Sequence, residues 1–267
     1  MNAIKIELTE NAVGIIVSGT ESDLKKLHDA LRIATREVLS NPDRVVWENN
    51  GLMYLVDLYN CIAKAYGGLG DDCYSASPFQ LDEEFNVIEV LVHSPGDPKN
   101  NELASVVYSE LPNKEGIYST RLLLPFVIKT LHILESCVST RKEWQASHEV
   151  IRSFKTNVLN AIGDCSNEVS QFVDYWLSNT KPFSKNYIYG VAWHLASSDY
   201  IQFRMPDERL ESLPEYLKSI EEDSEPYLEC ADFMRNLANT KKIKLKDLYL
   251  DFDRDVLNSL NNGVIQW

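Results

Sequence analysis

From Ala3 to Leu8 apolar and polar positions alternate, with Ile4, Ile6 and Leu8 on one face, and Val13 to Ser18 is a short β-branched run. A period of two predicts two strands, joined as a hairpin at Thr9-Glu10-Asn11. Beyond Gly19 the spacing changes to three and four: Leu24, Leu27, Leu31 and Ala34 or Val38 predict a helix that Thr20 or Ser22 can cap. Asn41-Pro42-Asp43 breaks it. A second helix then carries Leu52, Leu55, Val56, Tyr59, Ile62 and Ala63 on one side and stops at Gly67-Gly68-Leu69-Gly70.

A polar, acidic segment reaches Glu84, after which Phe85 to Val92 reads as a strand and Ser94-Pro95-Gly96-Asp97-Pro98 as a turn. Val106-Val107-Tyr108 is a weaker strand signal. Ile117 to Leu124 reads as a strand that hands over at Pro125, a residue suited to the first turn of a helix, to a helix reaching about Thr140. One continuous helix kinked at Pro125 is the alternative. From Lys142 onward helical spacing dominates, in Trp144 to Ile162, Val169 to Leu177, Tyr187 to Leu195, Leu213 to Ile220 and Tyr227 to Leu237. The pattern predicts an α+β protein. A small, mainly antiparallel sheet with packed helices occupies residues 1–141 and a helical part residues 142–267, with a soft boundary near residue 141.

Composition adds a sign to this outline. In 267 residues, Asp and Glu number 40 against 26 Lys and Arg, a formal charge of −14. A field of that sign repels phosphate backbones and anionic lipid and favours a basic partner, so neither nucleic acid nor a membrane is expected as ligand. Between Tyr66 and Glu115 ten acids face only Lys99 and Lys114. Within that stretch Asp71, Asp72, Asp82, Glu83 and Glu84 are the candidate partner-binding residues.

Five cysteines, Cys61, Cys73, Cys137, Cys165 and Cys230, lie far apart with no CxxC pair, which points to a reducing compartment and disfavours zinc. The first residues carry Lys5, Glu7 and Glu10 and lack the basic start and cleavage site of a signal peptide. Leu122 to Val138 is apolar but holds Lys129, His132 and Glu135, which makes it a poor membrane span and a good buried helix. A cytoplasmic protein is expected.

Candidate chemistry is sparse. No two of His28, His93, His132, His148 and His194 stand three to five residues apart, so a helical metal pair is excluded. His132 reads as a core or boundary residue. His93 ends a strand before a Pro-Gly turn, where catalytic groups can sit, yet it has no evident partner. GxSxG and GxxxxGK[ST] are absent, and Gly67-Gly68-Leu69-Gly70 closes a helix where a phosphate loop would open one. Cys73 stands beside Asp71 and Asp72, a setting that opposes thiolate formation. Asp251, Asp253 and Asp255 alternate like oxygen ligands for a hard cation, but Val256 and Asn262 occupy positions where a calcium loop needs Gly and Glu. The group also resembles the DxDx[TV] of haloacid-dehalogenase-type phosphotransferases, without the Rossmann-like domain that must follow. It reads as the capped start of a surface helix. Lys241-Lys242-Ile243-Lys244-Leu245-Lys246 forms a short basic edge.

Residues 14–27, an apolar strand, a Ser18-Gly19 turn, a polar cap and a Leu24-x-x-Leu27 helix, resemble the opening of bacterial polymorphic-toxin immunity proteins and related uncharacterised domains. The order of elements from Asn86 to Leu134 is similar to the same group. The resemblance implies a protein-interaction module that neutralises a cationic partner, a toxin or an assembly subunit, without a cofactor, and it carries over no functional residue. The alternative expectation is an enzyme or a small-ligand or metal-binding protein with a pocket between the two halves.

Overall fold

Alternation at Ile4, Ile6 and Leu8 places these side chains toward the core, and the chain forms strand β1 (Lys5–Leu8) and strand β2 (Gly14–Thr20) in antiparallel register, Ile6 opposite Val17 and Leu8 opposite Ile15. The computed structural model describes residues 4–39, 51–66, 76–81, 87–92, 109–110, 116–137, 145–179, 187–202 and 205–245. The β1–β2 turn is built around Thr9. Its hydroxyl donates to the Gly14 carbonyl at 3.1 Å and accepts from the Gly14 amide at 3.0 Å, inside a buried loop. Ala12 adopts a left-handed φ of 51°, a conformation that costs a residue bearing a Cβ about 1 kcal/mol.

Helix α1 (Glu21–Leu39) begins where Thr20 accepts from the Asp23 amide at 3.3 Å and donates to the Asp23 carboxylate at 2.6 Å, so the Thr20 cap is the one used. Leu24, Leu27, Leu31 and Ala34 are buried as the spacing requires. Helix α2 (Gly51–Ala65) packs on α1 and buries Leu55, Leu58 and Ile62.

Strand β3 (Ala76–Leu81) arises in the stretch expected to be polar and irregular, paired antiparallel with β4 (Val87–Val92) in a two-stranded sheet. Pro78 hides this strand from a reading by propensity, since it has no amide proton to donate, and the register shifts between Ala76 and Phe79 around it. The weak strand signal at Val106-Val107-Tyr108 lies outside the described residues. The two-residue strand β5 (Ser109–Glu110) follows it and pairs with β6 (Ile117–Leu123). The main sheet has the order β1-β2-β6-β5 with every neighbour antiparallel, which makes the protein α+β.

β6 passes straight into α3 (Leu124–Cys137), with Pro125 in the first turn, so the strand-to-helix reading holds over the kinked helix. Every residue from Leu122 to Leu134 is buried. Helix α3 is therefore the centre of the molecule, packed on α2, α5, α6 and the sheet. Around it lie α4 (Gln145–Gly163), α5 (Asn167–Asn179), α6 (Tyr187–Gln202), the single turn α7 (Pro206–Arg209), α8 (Leu213–Ser219) and α9 (Glu225–Lys241). No strand occurs among the described residues after 141.

The soft boundary near residue 141 falls at residues outside the described set, but buried side chains on its two sides belong to one cluster running from Ile6 to Met234. Polar contacts join the same parts. Asn157 of α4 donates to the Ile4 carbonyl at 3.0 Å, and the Tyr200 hydroxyl of α6 donates to the Ala12 carbonyl at 3.0 Å. The buried Arg209 guanidinium donates to the carbonyls of Asn11, Tyr200 and Ile201 at 2.6, 3.2 and 3.2 Å. These bonds grip the turn that holds Ala12 in its left-handed conformation.

Because Arg209 serves three buried carbonyls and Tyr200 serves one, Arg209→Leu should destabilise the chain by about 3 kcal/mol and Tyr200→Phe by about 1 kcal/mol. Urea unfolding of the full chain checks both values, and equal losses would contradict this ranking.

Candidate functional site

Helix α6 carries two kinds of surface. Ile188, Trp193, Tyr200 and Ile201 point into the core, whereas the small residues Ala192 and Ala196 leave room beside α8 and α9. The result is a cleft of about 460 Å³ among α6, α8 and α9. Ala192, Ala196, Pro226 and Cys230 give it apolar walls, with the exposed Leu195 at its edge. Asp199, Glu215 and Lys218 supply its charges.

Hydrogen bonds fix the walls. Ser197 donates to the Trp193 carbonyl at 2.7 Å, so the Tyr216 hydroxyl, 3.1 Å from Ser197 Oγ, must be the donor between the two. Ser224 caps α9, accepting from the Tyr227 amide at 3.2 Å and donating to the Ser219 carbonyl at 2.7 Å, while Ser219 donates to the Tyr216 carbonyl at 2.7 Å. This chain of hydroxyls locks the end of α8 to the start of α9.

Burial governs two titratable groups of the cleft. Burial pushes the Tyr216 phenol well above its ordinary range, and the Cys230 thiol also upward, so both stay protonated at neutral pH. Tyr227, in the first turn of α9, is pushed up to about 12, first by burial and then by Glu222. Among the described residues no group of three His, Cys, Asp or Glu could hold a metal ion.

Charge is the distinctive property of the region. Between residues 207 and 232 the sequence has ten acids against Arg209 and Lys218, and Arg209 is buried. Glu208, Glu211, Glu215, Glu222, Asp223, Glu225, Glu229 and Asp232 are exposed. This excess of eight equals that between Tyr66 and Glu115, so the sequence held an equal signal here. Part of it lies in the acidic break at Glu221 to Pro226, where α8 gives way to α9.

Behind the cleft sits a buried aromatic cluster. His132 of α3 lies 5.0 Å from the Trp176 ring and stacks on Trp193 at 6.4 Å, while Lys129 Nζ stands 5.5 Å over Trp193. Trp176 in turn donates to Glu221 at 3.1 Å, next to the acidic turn. Burial, then the nearby Lys129 charge, lowers the His132 pKa to about 4, so its imidazole is neutral at physiological pH. The sequence reading of His132 as a core residue agrees with this position.

The candidate partner-binding residues Asp71, Asp72, Asp82, Glu83 and Glu84 lie outside the described residues, as do Cys73, His93 and the Asp251, Asp253 and Asp255 group. The cleft is lined wholly by residues after 141, so it is a different place from the pocket expected between the two halves.

Residues 99–256 match the family described as Domain of unknown function (DUF6904). The chain belongs to this family. The match takes in β5, β6, the buried helix α3 and the whole cleft, and begins after β1 to β4, α1 and α2. The immunity-like layout of residues 14–27 thus stands ahead of the family region. No curated protein and no solved structure matches the chain.

The buried imidazole generates a pH dependence. An unfolded His binds a proton below about 6.5 but folded His132 only near 4, so between these values the unfolded state holds more protons. Unfolding free energy should therefore fall as pH drops through this window, by on the order of 3 kcal/mol from this group. The difference between wild type and His132→Phe, followed by urea unfolding from pH 7 to pH 4, isolates the contribution; parallel curves would contradict it.

Proposed function

We propose that this protein is an interaction module that recognises a positively charged protein partner, and that it acts in the cytoplasm. The observation that carries the reading is the exposed acidic surface running from α7 to α9 around a cleft with apolar walls. Like-signed charge on one face raises the encounter rate with an opposite face and selects against acidic partners. A cationic toxin held by an immunity or antitoxin-like factor, the partner implied by the resemblance at residues 14–27, belongs to this charge class. So does a basic subunit of an assembly.

Three features favour binding over catalysis. The cleft tyrosine and cysteine are shifted away from reactive protonation states, the buried imidazole of His132 is held neutral in an aromatic cluster, and a hydrogen bond from Ser224 to Ser219 ties α9 to α8 in the cleft wall. The cytoplasmic part of the reading is supported by Cys61, Cys165 and Cys230, which form no disulfide with one another. No helix among the described residues is long and apolar enough to cross a membrane.

Affinity capture from native lysate tests the reading, with the wild type compared against a variant carrying Glu222→Gln, Asp223→Asn, Glu225→Gln and Glu229→Gln. A stoichiometric basic protein should be retained by the wild type, released as salt is raised, and lost by the variant. Equal retention by both forms would place recognition elsewhere and overturn the assignment to this surface.

A further inference from the structure

Resting on the basic-partner reading, we propose that the α6 and α9 walls of the cleft form a groove that seats an amphipathic helix of that partner. The apolar row of this helix enters the groove, and its lysines or arginines run along Glu225 and Glu229. Two helices of the chain build the apolar side. On α6, Ala192 and Ala196 leave a recess, and Leu195 stands 37% exposed at its edge. On α9, Pro226 and Cys230 line the same cleft, and Phe233 follows Cys230 by three positions and Pro226 by seven, which continues one row along the helix. Phe233 is 56% exposed, a large apolar side chain that folding leaves in water. An exposed aromatic one turn beyond an apolar recess is the kind of surface on which binding energy concentrates.

Charge lies beside the same row. Glu229 comes three positions after Pro226 and four before Phe233, so it is a surface neighbour of both, and Glu225 precedes it by one turn. Both carboxylates are exposed, and neither enters an ion pair among the described residues. Asp199, Glu215 and Lys218, the charged groups of the cleft lining, already interact within the chain, so selection for a cation falls to the α9 carboxylates. Spacing decides the form of the partner. Rows at three-and-four intervals repeat with each helical turn of about 5.4 Å, which matches the side chains of a second helix laid alongside and not those of an extended strand. The lining residues belong to helices and the turns next to them, so they offer no strand edge to an extended peptide. A basic amphipathic helix gains apolar contact and opposite charge together, whereas an acidic one is repelled by Glu225 and Glu229.

Two labelled peptides of about five helical turns test the groove by fluorescence anisotropy on the full chain. One sets leucines at three-and-four spacing among lysines, and the other has the same composition with that spacing scrambled. The helical design should bind at least about tenfold more tightly than the scrambled one. Glu225→Gln with Glu229→Gln should weaken it by a similar factor and flatten its salt dependence, whereas the charge-matched pair Glu149→Gln with Glu168→Gln, exposed on α4 and α5, should leave it unchanged. Ala196→Trp, which fills the recess and keeps every charge, should also weaken the helical peptide, as should Phe233→Ala at a position already exposed to solvent. Equal affinity of the two peptides, or equal loss from the two carboxylate pairs, would overturn the groove and leave the basic-partner reading to its own capture experiment. No binding of either peptide at low salt would overturn both.

The helical peptide with benzoylphenylalanine in place of its central leucine gives a readout on the unmutated protein. Adducts mapped by mass spectrometry should fall on α6 and α9, and adducts confined to other segments would reject the groove. Sedimentation showing a wild-type dimer that Ala196→Trp dissociates would assign the groove to a second copy of this chain and would also overturn the proposal.

Discussion

Helix α3 is surrounded on every turn from Leu124 to Leu134, and the rest of the chain is arranged to satisfy what that burial demands. Nine of these eleven positions are explained by apolar packing or by a hydroxyl bonded within the helix, as Thr130 is to the Phe126 carbonyl at 2.9 Å, and the exceptions are Lys129 and His132. A buried ammonium carries a desolvation cost of several kcal/mol, which the face of Trp193 offsets in part. His132 avoids the same cost by staying neutral. The aromatic cluster of Trp176 and Trp193 is thus a solvent for two polar groups as well as a hydrophobic contact.

That requirement reaches the surface through α5 and α6. Trp176 faces α3 with one edge and donates from its indole nitrogen to Glu221, and Trp193 sits on the helix whose other side forms the cleft. Tyr216 stacks edge-on to Trp193 at 6.0 Å and closes the cleft from α8. Part of the cleft wall is therefore the back of the cluster that holds Lys129.

A second constraint acts at the opposite end of α6. Tyr200 and Arg209 hold the β1–β2 turn from the helical side, and together with the bonds of Thr9 within the turn they keep Ala12 at positive φ. The sheet belongs to the same buried cluster as α6 and α9, although the family match begins after its first two strands. Residues 4–39 thus support the fold of the family region, through Asn157 on Ile4 and Arg209 on Asn11.

Periodicity determined the elements. Two-residue alternation in Ile4, Ile6 and Leu8, the Thr20 cap, the Pro125 hand-over and the helical spacing after Lys142 each depend on neighbours within a few positions, so the α+β class and most helices were legible without tertiary contacts. The β3 strand was not, because Pro78 opposes strand propensity and the strand depends on pairing with β4 and contact with α2. Charge was legible as a count but not as a place. The acids in residues 207–232 can be counted along the chain, but that Asp199 and Glu215 line one cleft follows only from the packing of α6, α8 and α9. Likewise Arg209 looks like one more solvated cation in the chain, and becomes a buried clamp because its carbonyl partners lie 8, 9 and 198 residues away. Local patterns fix backbone conformation, whereas a site depends on side chains distant in sequence, and their meeting is decided by how the helices pack around α3.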